Sequence, residues 1–577
     1  MKKCSEARNM PALWFGLGVF GLAVLSVLHY LWGDLLLMEY QTDISDTLMW
    51  ADAIYKSGRL VSPNHYYPYI IPFGGQLLML PFIPLFGTSM TTLRLGMTLF
   101  FALYALVLIV FFYRAVFCNL PASLAAAGCM IMLFEYNKKL REVMYAHVIH
   151  YSLAILFMLL IFIVLALLQE QNSCKRRKRL LYLALASVSF FSAANGITVL
   201  ALGLVPAGLA FLLERIIQAK RFGQLTDNWR EDLEICGVVV AAVLSGLAVY
   251  FLLSSGAHDS YSSMYMNLLP VSQWAESFNS AVWMWINTLM NPRLFADIVP
   301  CVRSLTRYGS YMQFGIRLCM IAALPLMLVL SIMRYKHLSS RVQRIVVLAF
   351  WCVSLITTVF YTVMPMLEMN WRMIPMLFML FAALIVLIAD MLKDMGGLIR
   401  GMGAMLCAAV VFIAVNGGMG VLAAHADRNI WFEEGSALNM LLDHGLTHGY
   451  TNAHMLIEPY RMMTDGEIRM SNIEIRHRPA QYYPILYQND AEDYLPHEES
   501  DKPYFVMVID PVAYHEPVGY MEKYEGLTYM PSYDTALDRY VQYIIYVFDH
   551  YPLENTMFDI YSSHEVYLED VMQNGKI

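Results

Sequence analysis

Charge is scarce in this chain. Only 15% of its 577 residues are Asp, Glu, Lys or Arg, and 58% belong to the hydrophobic set. A soluble protein carries about 25% charged residues, so an ordinary soluble globular fold is excluded. Cysteine is missing from the C-terminal part. All nine cysteines (4, 118, 129, 174, 236, 301, 319, 352 and 407) precede residue 424, so 425–577 forms no internal disulfide. None of their spacings matches a zinc site, and those in apolar runs read as core or lipid-facing residues. Positive charge is thin in the same part: 425–577 holds 9 of the 39 Lys and Arg but 26 of the 46 Asp and Glu. That leaves −17 there and +10 before it, which indicates two parts in two environments. Phosphate would be repelled by the acidic part, so nucleic acid is excluded as its partner.

What the chain has instead is long apolar runs. A membrane span needs roughly 20 apolar residues. Candidates are 12–32, 93–113, 119–135, 147–168, 233–253, 312–333, 344–364, 373–392 and 403–424. The run 180–214 is broken by Asn195-Gly196 and reads as two short helices joined by a turn, which makes eleven. No small-residue cleavage site precedes Asp34, so the first helix is expected to be retained rather than removed as a signal peptide. The stretch 70–86 is apolar, but Pro72, Pro81, Pro84 and Gly74-Gly75 argue against a continuous span. It is expected to be re-entrant or interfacial.

Positive charges favour the cytoplasmic side. Lys2, Lys3 and Arg8 place the N-terminus inside. The cluster Lys175–Arg179, then Arg215/Lys220/Arg221, Arg334/Lys336/Arg341/Arg344 and Lys393/Arg400, fall inside too if 70–86 does not span. Eleven spans starting inside end outside. The expected fold is therefore a polytopic α-helical membrane protein, residues 1–424, with a small extracytoplasmic α/β or α+β domain at 425–577. The location is the cell membrane.

Ionisable groups near a membrane are costly, so their placement is informative. Directly after the first span come Asp43, Asp46 and Asp52. On a helix Asp43 and Asp46 share a face, where an acid beside aromatic residues is suited to general-base chemistry on a hydroxyl. The alternative is a surface helix with solvated acids. A charged turn follows at Glu135, Lys138, Lys139, Arg141 and Glu142. It is suited to a phosphate, or to interfacial snorkelling. His147 and His150 lie at the outer end of the next span. Glu368-Met369-Asn370-Trp371-Arg372 supplies an Arg for a phosphate, or a Trp/Arg membrane anchor. Segment 254–311 holds His258, Asp259, Glu276, Trp283, Trp285, Asp297 and Arg303, a set that suits either a sugar or a lipid head group. Few acids lie inside the spans, which counts against an ion-coupled transporter. A non-catalytic protein, either a lipid or glycan transporter or an inactive glycan-binding relative, is the alternative class.

Taken in order, these features resemble the GT-C glycosyltransferases, which include protein O-mannosyltransferases, aminoarabinose transferases and oligosaccharyltransferase subunits. The matching positions are Asp43, Ala51 and Gly58; then Pro81, Pro84, Phe86-Gly87 and Arg94; then the turn Glu135 to Glu142; then Arg372 and Pro375. Asp43-Ile44 stands where the family has an acid pair, which makes Asp46 the other candidate base. Pro68-Tyr69-Ile70-Ile71-Pro72 replaces a His-Pro-Pro. The resemblance implies an enzyme of the hexosyltransferase type that takes a sugar from a polyprenyl-phosphate carrier on the outer face. The acid of the first loop would deprotonate a glycan or protein acceptor, and the anomeric centre would invert. Arg141 and Arg372 would neutralise the leaving phosphate. Some members hold a divalent metal on the acids, and the sequence indicates nothing about one here.

In 425–577, Phe432–Leu446 reads as a helix stopped at Gly445, and 467–478, 504–510 and 541–549 read as strands. The stretch 445–466 is similar to the extracytoplasmic tails of bacterial membrane glycosyltransferases. His444, His448, His454 and His477 match no standard metal spacing. The orientation is testable in a cysteine-free background. Glu467→Cys should react with a membrane-impermeant maleimide on intact cells, and Arg176→Cys only after permeabilisation; the reverse pattern would invert the topology.

Overall fold

The computed structural model describes residues 10–40, 42–170, 175–222, 229–259, 267–290, 308–365, 370–394, 396–424, 430–476, 481–485, 489, 491–494, 496, 502–511, 516–530 and 539–553. Its contacts divide the chain into two units. The first holds 1–31, 98–251 and 265–424. The second joins 32–97 and 252–264 to 425–577, so the acidic C-terminal part is compact with the loop that carries Asp43 and Asp46.

Among the described residues nine helices are long and apolar enough to cross a membrane, and the chain is a multi-pass membrane protein. In chain order the helices used below are α1 (Met10–Trp32), α2 (Thr42–Ser57), α3 (Met90–Phe117), α4 (Leu120–Phe134), α5 (His150–Leu168), α6 (Lys175–Ala194), α7 (Ile197–Lys220), α8 (Trp229–Ser254), α9 (Trp274–Met290), α10 (Tyr308–Arg334), α11 (Arg341–Val363), α12 (Ile374–Leu392) and α13 (Gly397–Ala423). All eleven expected spans coincide with helices. The two outside the nine are α4, which is short, and α6, whose first turn is the basic cluster Lys175–Arg179. The turn between α6 and α7 falls at Asn195-Gly196, where Gly196 takes φ +95°, a conformation open to glycine. Segment 70–86 contains only two four-residue helical turns, Gln76–Met79 and Ile83–Phe86. Its prolines lack the amide that a continuous helix needs.

Small residues let spanning helices approach closely, since apolar surface gives no net drive inside lipid. In the first unit a Cβ on Gly128 of α4 would sit 2.9 Å from the backbone of Phe20 in α1. One on Gly16 of α1 would sit 2.4 Å from the Pro121 carbonyl. At the helix ends carrying the later basic clusters, Arg341 of α11 bonds Glu214 of α7 (2.8 Å) and Asp232 of α8 (2.8 Å). Arg344 adds a second bond to Glu214 (2.9 Å), and Arg215 a second to Asp232 (2.7 Å). Arg334 joins α10 to Asp390 (2.6 Å) and Asp394 (2.7 Å).

The second unit contains a six-stranded sheet and two short helices, α14 (Ala437–Asp443) and α15 (His454–Met463). Its strands are β3 (His448–Thr451), β4 (Arg469–Arg476), β5 (Gln481–Pro484), β6 (Tyr504–Ile509), β7 (Glu522–Met530) and β8 (Arg539–Phe548), in the order β5-β4-β3-β6-β8-β7. Strands β4, β3 and β6 are parallel, and the other pairings are antiparallel. Helix α15 is the crossover from β3 to β4, which makes this an α/β arrangement. The two-residue strands β1 (Tyr66–Tyr67) and β2 (His258–Asp259) pair in parallel and tie together two loops expected on the same side of the membrane.

The ion-pair knot yields a stability prediction. Removing one partner of a buried pair costs about 3–5 kcal/mol, and Glu214 is 1% exposed. Arg341→Ala should lower the detergent melting temperature clearly. Arg177→Ala, in the exposed pair with Glu170 (2.6 Å), should change it little.

Candidate functional site

Helix α2 begins ten residues after α1 ends. Every residue from Thr42 to Ile54 is buried, including Asp43 (8% exposed), Asp46 (4%) and Asp52 (5%). The solvated-face alternative therefore does not hold for these acids. Buried carboxylates require partners, and for Asp52 they are explicit. It accepts from Thr88 Oγ1 (2.9 Å) and pairs with Lys56 Nζ (2.7 Å) and Arg461 Nη2 (3.4 Å). This makes Asp52 a tie between α2, the segment before α3, and α15.

Helix α15 lies along α2. Thr42 Oγ1 donates to the His454 carbonyl (2.8 Å), and one helical face further on Arg461 reaches Met49 Sδ and Asp52. His454, Glu458 and Arg461 share that face at the i, i+4, i+7 spacing. Glu458 is 4% exposed and 4.0 Å from Arg461. The buried Tyr40 phenol, just before α2, is pushed well above its usual range by burial, then by Glu458 and Asp46, while Ser45 and Arg94 oppose the shift. Tyr40 therefore stays a neutral hydroxyl among Asp46, Glu458 and Arg94. Trp50, on the Asp43/Asp46 side of α2, meets Tyr67 (6.0 Å between ring centres) and Tyr69 (5.4 Å), and His65 stacks edge-on against Tyr67 (4.7 Å). The Phe86-Gly87 position closes with Gly87 at φ +65° and its carbonyl bonded by Thr92 Oγ1 (2.7 Å).

The other expected residues lie in the first unit. Glu135, at the end of α4, is fully buried. Ser26 Oγ of α1 lies 2.6 and 2.8 Å from its two carboxylate oxygens, and Arg141 Nη1 donates to its carbonyl (2.7 Å). Arg141 is 1% exposed and packs over the Tyr30 ring. Glu142 pairs with Lys139, and Lys138 is half-buried. The backbone then loosens into a wide π turn over Glu142–Ala146, a feature common at functional sites. It delivers His147, and then His150 at the first turn of α5, both buried. Arg372, also buried, and His147 both lie within electrostatic reach of His150. Glu368, Asp297, Arg303 and His477 lie outside the described residues. Among the described residues no three His, Cys, Asp or Glu side chains are grouped to hold a metal ion.

Tyr40, Trp50, Glu458 and Arg461 were missed as site residues. The 454/458/461 spacing marks one face of a helix, but no sequence feature names α2 as the element it covers.

Among solved structures, the crystal structure of ArnT from Cupriavidus metallidurans bound to undecaprenyl phosphate is similar over 93% of this chain and 98% of that chain, with a TM-score of 0.48 and 12% identity. That likeness supports no residue correspondence. No family profile and no curated protein matches the sequence.

The Asp52–Arg461 tie is testable. Arg461→Ala removes the cation that α15 supplies to the buried Asp52, leaving it Lys56, and should lower the melting temperature, a loss of up to about 3–5 kcal/mol. Arg461→Lys should recover part of it.

Proposed function

We propose that the protein is a membrane glycosyltransferase that moves a sugar from a polyprenyl-phosphate-linked donor to a cell-envelope glycan or protein on the outer face. The observation that carries this reading is the burial of two same-face acids, Asp43 and Asp46, on a helix that begins ten residues after the first spanning helix. Solvent-shielded carboxylates, on the helix face that carries Trp50, suit proton abstraction from a sugar or protein hydroxyl.

In the step proposed, Asp43 or Asp46 takes the acceptor's hydroxyl proton and the freed oxygen bonds to the anomeric carbon. The bond from that carbon to the carrier phosphate breaks, and its electron pair leaves on the phosphate oxygen. A single displacement inverts the anomeric centre. The negative charge that develops calls for fixed cations. Arg372, His147 and Lys138 are assigned to the donor phosphate, Arg372 first because its planar fork matches phosphate oxygens. Glu135 and Arg141, enclosed by Ser26 and Tyr30, are assigned to holding the turn that presents them. Glu142 with Lys139 is assigned the same supporting role. The N-terminus is cytoplasmic and the acidic part extracytoplasmic.

The test is transfer from a radiolabelled polyprenyl-phosphate sugar in membranes, following release of the carrier. Asp46→Asn or Asp43→Asn should lower turnover about a hundredfold or more with normal amounts of folded protein. Unchanged turnover in both variants would remove the base and, with it, this reading.

A further inference from the structure

Helices α2 and α15 lie side by side in the second unit, and their contacts set a register. Thr42 Oγ1 donates to the His454 carbonyl (2.8 Å). Seven residues further along each helix, Arg461 donates to Met49 Sδ (3.6 Å), and its other terminal nitrogen reaches Asp52 (3.4 Å). Equal spacing on the two chains means that the helices run parallel and in step. Residues at i, i+4 and i+7 share one helix face. On α2 that face is Thr42, Asp46 and Met49, and on α15 it is His454, Glu458 and Arg461. Glu458 therefore comes opposite Asp46. Both are buried, each 4% exposed.

The surrounding groups fit that register. The fully buried Tyr40 phenol, just ahead of α2, lies within electrostatic reach of both Glu458 and Asp46, and of Arg94. Arg461 directs its guanidinium at α2 and stands 4.0 Å from Glu458. Asp52 also holds Lys56 (2.7 Å). Arg94, in the first turns of α3, has Asp34 as well as Tyr40 within electrostatic reach. Asp43 on α2, His454 on α15, Glu39 next to Tyr40, and Tyr67 and Tyr69 beside Trp50 are the other titratable groups near the seam. The turns 76–79 and 83–86 also pack on α2 and carry no titratable group.

We propose that Glu458, supplied by the C-terminal part, pairs its carboxyl with that of Asp46 and so selects Asp46, rather than Asp43, as the group that takes the acceptor's proton. The inference deepens the transferase reading and rests on it for that chemical role. Two carboxylates that face each other away from water do not both ionise readily, so one proton belongs to the pair and is kept to higher pH than either acid keeps it alone. A base for a hydroxyl needs that higher proton affinity. Glu458 is a positioning residue: it touches no reacting atom and acts through Asp46. The base is thus assembled from two ends of the chain, and α15 completes it.

The test is an infrared pH titration of the full-length protein in detergent, read at the carboxylic-acid C=O band. Asp46→Asn should remove one component of that band. Glu458→Gln should remove the same component, leaving the remaining acid to lose its proton about one pH unit lower or more. Glu458→Asp keeps the charge but withdraws it by one methylene. It should move the component part of the way, and it decides the case in which the glutamine variant fails to fold. A Glu458 with a structural role alone would lower the melting temperature and leave the Asp46 component in place. A component absent from the Asp46→Asn difference, or unmoved in the folded Glu458 variants, overturns the pairing. In the transfer assay, Glu458→Gln should shift the acid limb of turnover to lower pH by the same amount, because loss of a like charge lets Asp46 stay ionised there. No transfer by the wild type with the infrared coupling intact defeats the transferase reading alone. Transfer that depends on Asp46 without the coupling defeats the pairing alone.

Discussion

The buried acids Asp52, Glu214 and Asp232 are each matched by cations of their own unit, and the packing of the helices around them follows from that requirement. Asp52 shows it most clearly. A carboxylate 5% exposed near the start of a mostly apolar chain is tolerable only if something supplies cations and donors. Lys56, Thr88 and Arg461 do so, and Arg461 comes from a part of the sequence more than 400 positions later. The tie fixes α15 along α2. That in turn brings Glu458 and the Tyr40 phenol into the surroundings of Asp46. The same logic applied to Glu214 and Asp232 draws α7, α8 and α11 together through Arg341.

The helical part was largely legible in the sequence because long apolar runs have few alternatives: every backbone group must be satisfied internally, and helices do that locally. Hence all eleven runs became helices, and the Asn195-Gly196 break fell where a positive φ was needed. Prolines 81 and 84 likewise kept 70–86 from forming one helix. The sheet was read less well. The strands at β4, β6 and β8 stood out by alternation, but β3 is only His-Gly-Tyr-Thr, too short and polar to register, although it is the central strand. Edge strand β7, which carries Glu522, Lys523 and Glu525, was not among the expected strands. The expected helix at 432–446 shrank to Ala437–Asp443, with Gly445 stopping it as anticipated.

The candidate site divides along the same line. Asp43, Asp46 and Arg94 were visible because each lies beside a span boundary, where a charge is costly enough to be noticed. Whether the acids were solvated was not visible, since the helix packed along α2 at Thr42, Met49 and Asp52 is α15, which has an ordinary mixed composition. Glu135 and Arg141 were read as substrate-facing groups from their charge and from the resemblance of their turn. Their partners, Ser26 and Tyr30, are more than 100 positions away on a helix that composition marks only as apolar.

The make-up of the second unit bears on how it assembles. It is built from 32–97, 252–264 and 425–577, with several spanning helices of the first unit between the pieces. Closing loops of that length costs entropy that grows only slowly with length, but contacts so distant in sequence delay folding. The β1–β2 pair and the Thr42–His454 bond cannot form until the intervening helices are in place. The tie of Asp52 to Arg461 likewise has to wait for the last segment. A chain truncated before α15 would carry the same acids but lack Arg461, the guanidinium that this helix supplies to the Asp52 carboxylate.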